Sequence, residues 1–404
     1  MFRALRHKNY RLFFIGQGIS LTGTWMQQMA IGWLIYRLTN SPLMLGLAGF
    51  LGSIPTFIFT PFAGVLVDRM NKHRMLIVTQ VLAMAQALIL AALIMTGKVE
   101  VWHILVLTIF LGIAIAFDAP ARHAFIVEMV DKREDLGNAI ALNSLVFNAA
   151  RLIGPSIAGI IVALFGEGVC FLFNGLSYIA VIMALLGMHI TRRAIGHQEK
   201  HIIHGLKVGI DYAFSNRLIR SILLLTGLVS MMGMSYVVLM PVFAKDVLHG
   251  DANTLGFLMG STGLGALMGA IFLASRKGIK GLNRVVFLNT NIFGIALIAF
   301  SFSRVLWLSV AALLFVGFGM MVEMAANNTI IQVIVHDDKR GRVMSLFMVA
   351  FMGMVPFGCF IAGAFANRFG APSAIMVSGV SCVAGSFLMF NKNLWRRAST
   401  AHDR

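Results

Sequence analysis

Residues 64–74 read GVLVDRMNKHR. An apolar run over 43–67 precedes this stretch and another over 75–96 follows it, so the chain leaves one greasy segment and enters the next through a short, strongly basic turn. Outward from this turn the same alternation repeats. Apolar runs fall at about 11–36, 43–67, 75–96, 101–120, 137–165, 169–189, 218–241, 254–274, 285–302, 306–325, 343–366 and 372–391. A helix needs roughly 20 such residues to cross about 30 Å of hydrocarbon. Each run is continuous, without the alternation of a barrel strand, and a segment in lipid must satisfy its own backbone hydrogen bonds, so helices are implied. Of 404 residues, 58% are hydrophobic and 12% charged, against roughly 25% charged in soluble domains. The expectation is an all-α polytopic membrane protein with twelve transmembrane helices.

The net charge of +17 does not read as nucleic-acid binding, because the charge sits in alternate loops. With a cytoplasmic N-terminus, 27 of the 33 basic residues lie inside, and five, Arg37, Lys98, Lys245, Arg304 and Arg368, lie outside. Arg151 alone falls within a span. This is the positive-inside bias. It places both termini in the cytoplasm of a bacterial inner (plasma) membrane. The first apolar run is too long for a cleavable signal and lacks a small-residue cleavage site, so it is expected to stay. Cys170, Cys359 and Cys382 lie widely spaced in apolar stretches and read as packing residues.

The chain repeats itself. Gly16, Ser20, Gly23 and Gly46 map onto Thr226, Ser230, Gly233 and Gly256 at an offset of 210. Later, Trp102, Phe110, Gly112 and Val130 map onto Trp307, Phe315, Gly317 and Val335 at 205. Gly159, Phe165 and Gly166 map onto Gly363, Phe369 and Gly370 at 204. Two six-helix bundles are implied, 1–189 and 218–404, related by a pseudo-two-fold axis with a site near mid-membrane. The polar stretch 190–217 between them reads as a cytoplasmic linker, and its histidines lack the carboxylate company of a metal site. Within it, 205–216 is amphipathic, a pattern suited to the membrane surface.

The 64–74 turn resembles the first-loop signature of the major facilitator superfamily: a Gly, after three residues an Asp-Arg pair, then a basic run. Asn71 stands where that family usually has Gly, and Asn also tolerates a left-handed turn. The resemblance implies a conformational latch of Gly64, Asp68, Arg69, Arg74 and Arg342. In it Asp68 would meet the first turn of the eleventh helix, a favourable place for an anion. The competing reading is that these residues merely serve the positive-inside rule. On the fifth helix, Arg151, Gly154, Pro155 and Gly159 resemble the Gly-Pro motif of drug/proton antiporters, where small residues let backbones approach and Pro bends the helix. Plain helix packing is the alternative. DAPAR at 118–122 and RGRVMSL at 340–346 resemble the branch containing enterobactin exporters and macrolide efflux proteins.

Charged residues inside spans carry the mechanism. Arg151 is uncompensated in the sequence, and a buried charge costs at least about 2.5 to 3.5 kcal/mol in a membrane. It reads as an anion-binding or charge-sensing residue, or as a tie between bundles. Asp118 and Glu323, with Arg122 close by, are expected at the cytoplasmic ends of the fourth and tenth helices. There Arg69 or Arg74 would pair with Asp118, and Arg276 or Lys277 with Glu323, in gate salt bridges or at proton-linked positions. The resemblance implies a cavity lined by the first, fourth, seventh and tenth helices, with polar or aromatic candidates Gln17, Thr22, Trp25, Gln27, Gln28, Ser230 and Tyr236, of which Trp25, Gln28 and Tyr236 are preferred as substrate contacts. No P-loop, catalytic triad or metal pattern is present in the sequence. The expectation is therefore a secondary transporter and not an enzyme: without cofactor, monomeric, with small-molecule substrate, protons as coupling ion and the lipid bilayer as partners. Export of a drug, macrolide or siderophore leads; an uptake carrier, a lysophospholipid flippase and a non-transporting sensor are the alternatives.

Overall fold

The basic turn that punctuates residues 64–74 ends one helix and starts the next. A computed structural model describes residues 3–130, 133–188, 210–276, 278 and 281–389. In it α2 (Pro42–Arg69) stops, Met70 is extended, and Asn71 caps α3 (Lys72–Met95) by accepting the Arg74 N–H at 3.2 Å. Asn71 is therefore not left-handed, as its place in the family signature suggested; with φ −72° it is a helix cap. The other helices of the first half are α1 (Lys8–Thr39), α4 (Val101–Met129), α5 (Arg133–Phe165) and α6 (Glu167–Leu186). The second half holds α7 (Arg217–Val247), α8 (Ala252–Ser275), α9 (Leu282–Phe302), α10 (Leu306–Ile334), α11 (Lys339–Phe369) and α12 (Ala371–Met389). All twelve expected spans are present as helices.

Among the described residues, eleven helices are long and apolar enough to cross a membrane, and α1 is the twelfth. Its apolar character is diluted by buried amides. Gln27 donates to Gln86 at 2.9 Å and accepts from Asn174 at 2.7 Å, so one chain of side-chain amides joins α3, α1 and α6. Each bond in this chain matters in a dry interior, where an unpaired amide is costly, and Gln86 Nε2 is the one nitrogen of the three amides buried without a partner. Tight turns are built locally. Ser41 caps α2, and Pro42 occupies its first turn, where a missing N–H does no harm. Gly166 (φ 82°) turns α5 into α6, and its repeat counterpart Gly370 (φ 84°) turns α11 into α12. A residue with a Cβ would be strained at both.

The chain divides into two compact units, residues 1–196 with 244–260, and residues 197–243 with 261–404. In the first, α1 packs on α5 and α6, α3 on α4 and α6, and α2 on α4. In the second, α7 packs on α11 and α12, and α9 on α10 and α12. Gly265 and Gly317 bring α8 against α10, where a Cβ would collide with the Leu314 and Thr262 carbonyls. Adding six to each helix number of the first set yields the second, so the repeat read from glycine offsets is also a repeat of packing.

Helix α7 is irregular. It has wide π turns at Val229–Gly233 and Phe243–Val247, flanking a regular piece at Tyr236–Val242. Helix α11 breaks at Gly353 and Met354 between its two regular pieces. Of the linker expected over 190–217, residues 190–209 lie outside the described residues, and 210–215 are helical.

Candidate transport and gating residues

Asp118 stands 17 residues after Val101 and 11 before Met129; Glu323 stands 17 after Leu306 and 11 before Ile334. The two acids thus hold equivalent positions in helices of equal length. Neither is at a helix end. Each helix runs on about 16 Å beyond its acid, which places the basic loops out of reach and corrects the expected pairings. Asp118 instead pairs with Arg122, one turn along its own helix, and accepts Thr79 Oγ1 at 3.0 Å and Gln80 Nε2 at 2.7 Å. Arg74 is exposed, and the Arg69 side chain lies outside the described residues.

Glu323 has a different company. It is 2% exposed, accepts Asn327 Nδ2 at 2.6 Å, and forms no ion pair among the described residues. Its partner is thus Asn327 and not Arg276; Lys277 lies outside the described residues. Asn327 Nδ2 reaches on to Thr226 Oγ1 of α7 at 3.3 Å.

The α5 motif is a packing edge with a cation on it. A Cβ on Gly154 would lie 2.6 Å from Trp25 Cβ and 2.8 Å from the Thr22 carbonyl, so α1 and α5 touch through backbone. Gly159 meets the Ala252 carbonyl and Gly256, and the Pro155 carbonyl approaches Gly256 in turn. One turn before Gly154, the half-buried Arg151 lies over the Trp25 ring, 5.6 Å from its centroid. Phe147 meets the same ring edge-on at 5.6 Å.

Of the latch residues, Gly64, Asp68 and Arg69 fall in the last turns of α2, and their side chains lie outside the described residues. Arg342 is half-buried in the first turns of α11. Nearby, Lys72 pairs with Glu128 at 2.7 Å, and His73 bonds the Leu185 carbonyl at 2.7 Å, tying α3 to α4 and α6. Of the preferred substrate contacts, Trp25 is half-buried and Gln28 exposed. Tyr236 is different: it is 1% exposed and packs edge-on against Phe293, so it is a packing residue. Gln17, Gln27 and Ser230 are likewise buried.

One cluster was missed in the sequence. In the first unit Tyr36 donates to Asp246, Lys245 Nζ donates to Asn40 at 2.6 Å and lies over the Tyr36 ring, and Arg37 pairs with Glu167 at 2.7 Å. The 210 offset relates Tyr36 to Asp246 directly, a signal hidden because these residues read only as outer-loop polarity.

Residues 1–403 match the family described as Transmembrane secretion effector, of the major facilitator type. The chain belongs to that family. It is 26% identical over 387 residues to the Staphyloferrin A transporter of Staphylococcus aureus, covering 95% of this chain and 96% of the relative. It is 22% identical over 400 residues to Macrolide efflux protein A of Streptococcus pyogenes, covering 96% and 98%. A solved bacterial homologue of the human lysosomal transporter Spinster has a TM-score of 0.70 at 13% identity, covering 96% and 98%. A bacterial homologue of the iron transporter ferroportin has 0.67 at 16%, covering 94% and 98%. This secretion-effector chain is a multi-pass membrane transporter of small molecules and not an enzyme.

Proposed function

We propose that the chain is a proton-coupled exporter of amphipathic small molecules, such as a drug, macrolide or siderophore, working by alternating access. The observation that carries this reading is the Arg151, Trp25 and Phe147 group: a half-buried cation on an aromatic face, paired with no carboxylate among the described residues. An ammonium or guanidinium over an aromatic ring is stabilised there and keeps its donors for an acidic group of a ligand whose apolar part meets the rings. Of the named relatives, Macrolide efflux protein A supports export, and the Staphyloferrin A transporter supports a small-molecule substrate.

In this reading residues 1–189 and 218–404 are the moving bundles, 190–217 is their cytoplasmic linker, and both termini are cytoplasmic. Gly64, Asp68, Arg69, Arg74 and Arg342 form the latch, and Gly154, Pro155 and Gly159 seal the path along α5. The test is a deletion strain screened for intracellular accumulation against a panel of macrolides and carboxylate siderophores. Compounds that accumulate are then assayed in liposomes under an imposed pH gradient. Accumulation on deletion and gradient-driven movement are expected, and Arg151→Gln should lower transport most for the acidic members. Unchanged accumulation across the panel would refute export, and movement indifferent to the gradient would refute proton coupling.

A further inference from the structure

Asp118 and Glu323 sit at matched positions of α4 and α10, yet their surroundings have diverged at one telling place. Four residues on from Asp118 is Arg122, whose guanidinium pairs with it. Four residues on from Glu323 is Asn327, whose amide supplies a single hydrogen bond and no charge. The 205 offset that relates the two acids also relates Arg122 to Asn327. The α3 donors have changed too. Lys72 and Leu282 open α3 and α9, so Thr79 and Gln80, which both donate to Asp118, correspond to Asn289 and Thr290. Those two spend their donors within α9, on the Val285 and Val286 carbonyls.

We infer that the two units divide the work of one ancestral acid: Asp118 is the ion-paired, structural member, and Glu323 is the site that binds and releases the coupling proton. This rests on the proton-coupled reading above and names its site. Among the described residues, Glu323 has no ion-pair partner, and the groups that meet it are uncharged. From α10 comes Asn327, from α7 Thr226, and from α12 the Cys382 thiol, a titratable group close enough to feel the charge of Glu323. From α9 come Asn289, whose backbone carbonyl meets Gly319 one turn before Glu323, and the Phe293 ring that lies against Gly233. The amide oxygens of Asn327 and Asn289 are buried without a donor, so this pocket is short of donors and not of acceptors. A carboxylic acid brings a donor and a carboxylate does not. A buried carboxylate with one neutral donor and no cation is poorly compensated. The side chain is therefore at home there when one oxygen carries a proton. Opening the pocket to water lets that proton leave and the carboxylate be solvated.

Infrared difference spectra of the purified, reconstituted protein between mildly acidic and mildly alkaline buffer test this without any substrate. A protonated-carboxyl C=O band that disappears on the alkaline side is expected. Carbon-13 glutamate should shift it and carbon-13 aspartate should not, a measurement on the unaltered protein. Glu323→Gln should abolish it, and Asp118→Asn should leave it in place. A titrating band that survives Glu323→Gln, or that moves with labelled aspartate, overturns the assignment, as does the lack of any titrating band. The liposome experiment fails separately: a Glu323 band beside transport indifferent to the pH gradient would refute the coupling and leave the proton site standing.

Discussion

Replacing Arg122 with Gln isolates the ion pair on which the first unit's interior depends. Asp118 is 5% exposed, and in the variant it keeps the Thr79 and Gln80 donors but loses its countercharge. Stranding one partner of a buried pair costs about 3–5 kcal/mol. The Arg122 side chain is 20% exposed, so partial hydration of the pair places the loss near the lower end, about 3 kcal/mol. At about 2–4 °C per kcal/mol for units of roughly this size, the thermal midpoint should fall by about 6–12 °C. The assay is intrinsic-fluorescence melting of detergent-purified protein, with Asp118→Asn and the double variant as the remaining corners of a cycle. Asp118→Asn alone should also destabilise, because it leaves the guanidinium without its carboxylate. The double variant should be milder than the two losses added, because no unmatched charge remains. If the single losses are small and add within about 0.5 kcal/mol, the pair is not what holds α4, and the structural role assigned to Asp118 is refuted.

Three further outcomes follow from the geometry. Gly154→Leu should cost about 1–3 kcal/mol through overpacking against Trp25 and the Thr22 carbonyl and suppress transport, whereas Gly137→Ala, with nothing near its Cβ position, should be neutral or stabilising; melting and transport assays read both. Asn71→Gly should lose only a few tenths of a kcal/mol and Asn71→Ala about 1, because the residue acts as a cap; a gain in stability with Gly in melting experiments would restore the left-handed reading. Burial pulls the Asp251 carboxyl upward, but the Thr254 N–H, the Asn253 amide and the Thr254 hydroxyl outweigh it, and the group is held below the usual carboxylate range. Its stabilisation is therefore present above the unfolded value and lost as pH falls through the folded one, so Asp251→Ala should flatten the acid limb of the melting curve.

The membrane topology was legible because each crossing must close its own hydrogen bonds and shed charge over a fixed length. The ends of α4 and α10 were not. Both helices pass beyond the apolar runs at 101–120 and 306–325 to Met129 and Ile334, and hydropathy falls at Asp118 and Glu323 although the helix does not. Pro120 did not stop α4 because it sits inside a helix already supported by its neighbours. The acids were found by charge in an apolar span, but their partners were misassigned: pairing was sought in the loops, whereas an α-helix presents residue i+4 beside residue i. Reading the offset at Arg122 as well as at Asp118 would have exposed Asn327.

Tyr236 failed for a different reason, and the reason connects α7 to α11. The Met234 N–H bonds to the Val229 carbonyl, five residues back, so the turn holds an extra residue. Every side chain after it is rotated by about 100° from the face that Thr226 and Ser230 predict. That rotation carries Tyr236 into the interior beside Phe293. Such a turn survives only where neighbours support it. Here Ser230, within the wide turn, donates to the Phe351 carbonyl just before α11 breaks at Gly353, and Gly358 beyond the break lets the Met231 carbonyl come close. Two helices that each look irregular alone are thus irregular together. Ser230 was visible as the repeat partner of Ser20, but only the contacts of this turn with α11 explain why both helices are irregular where they are.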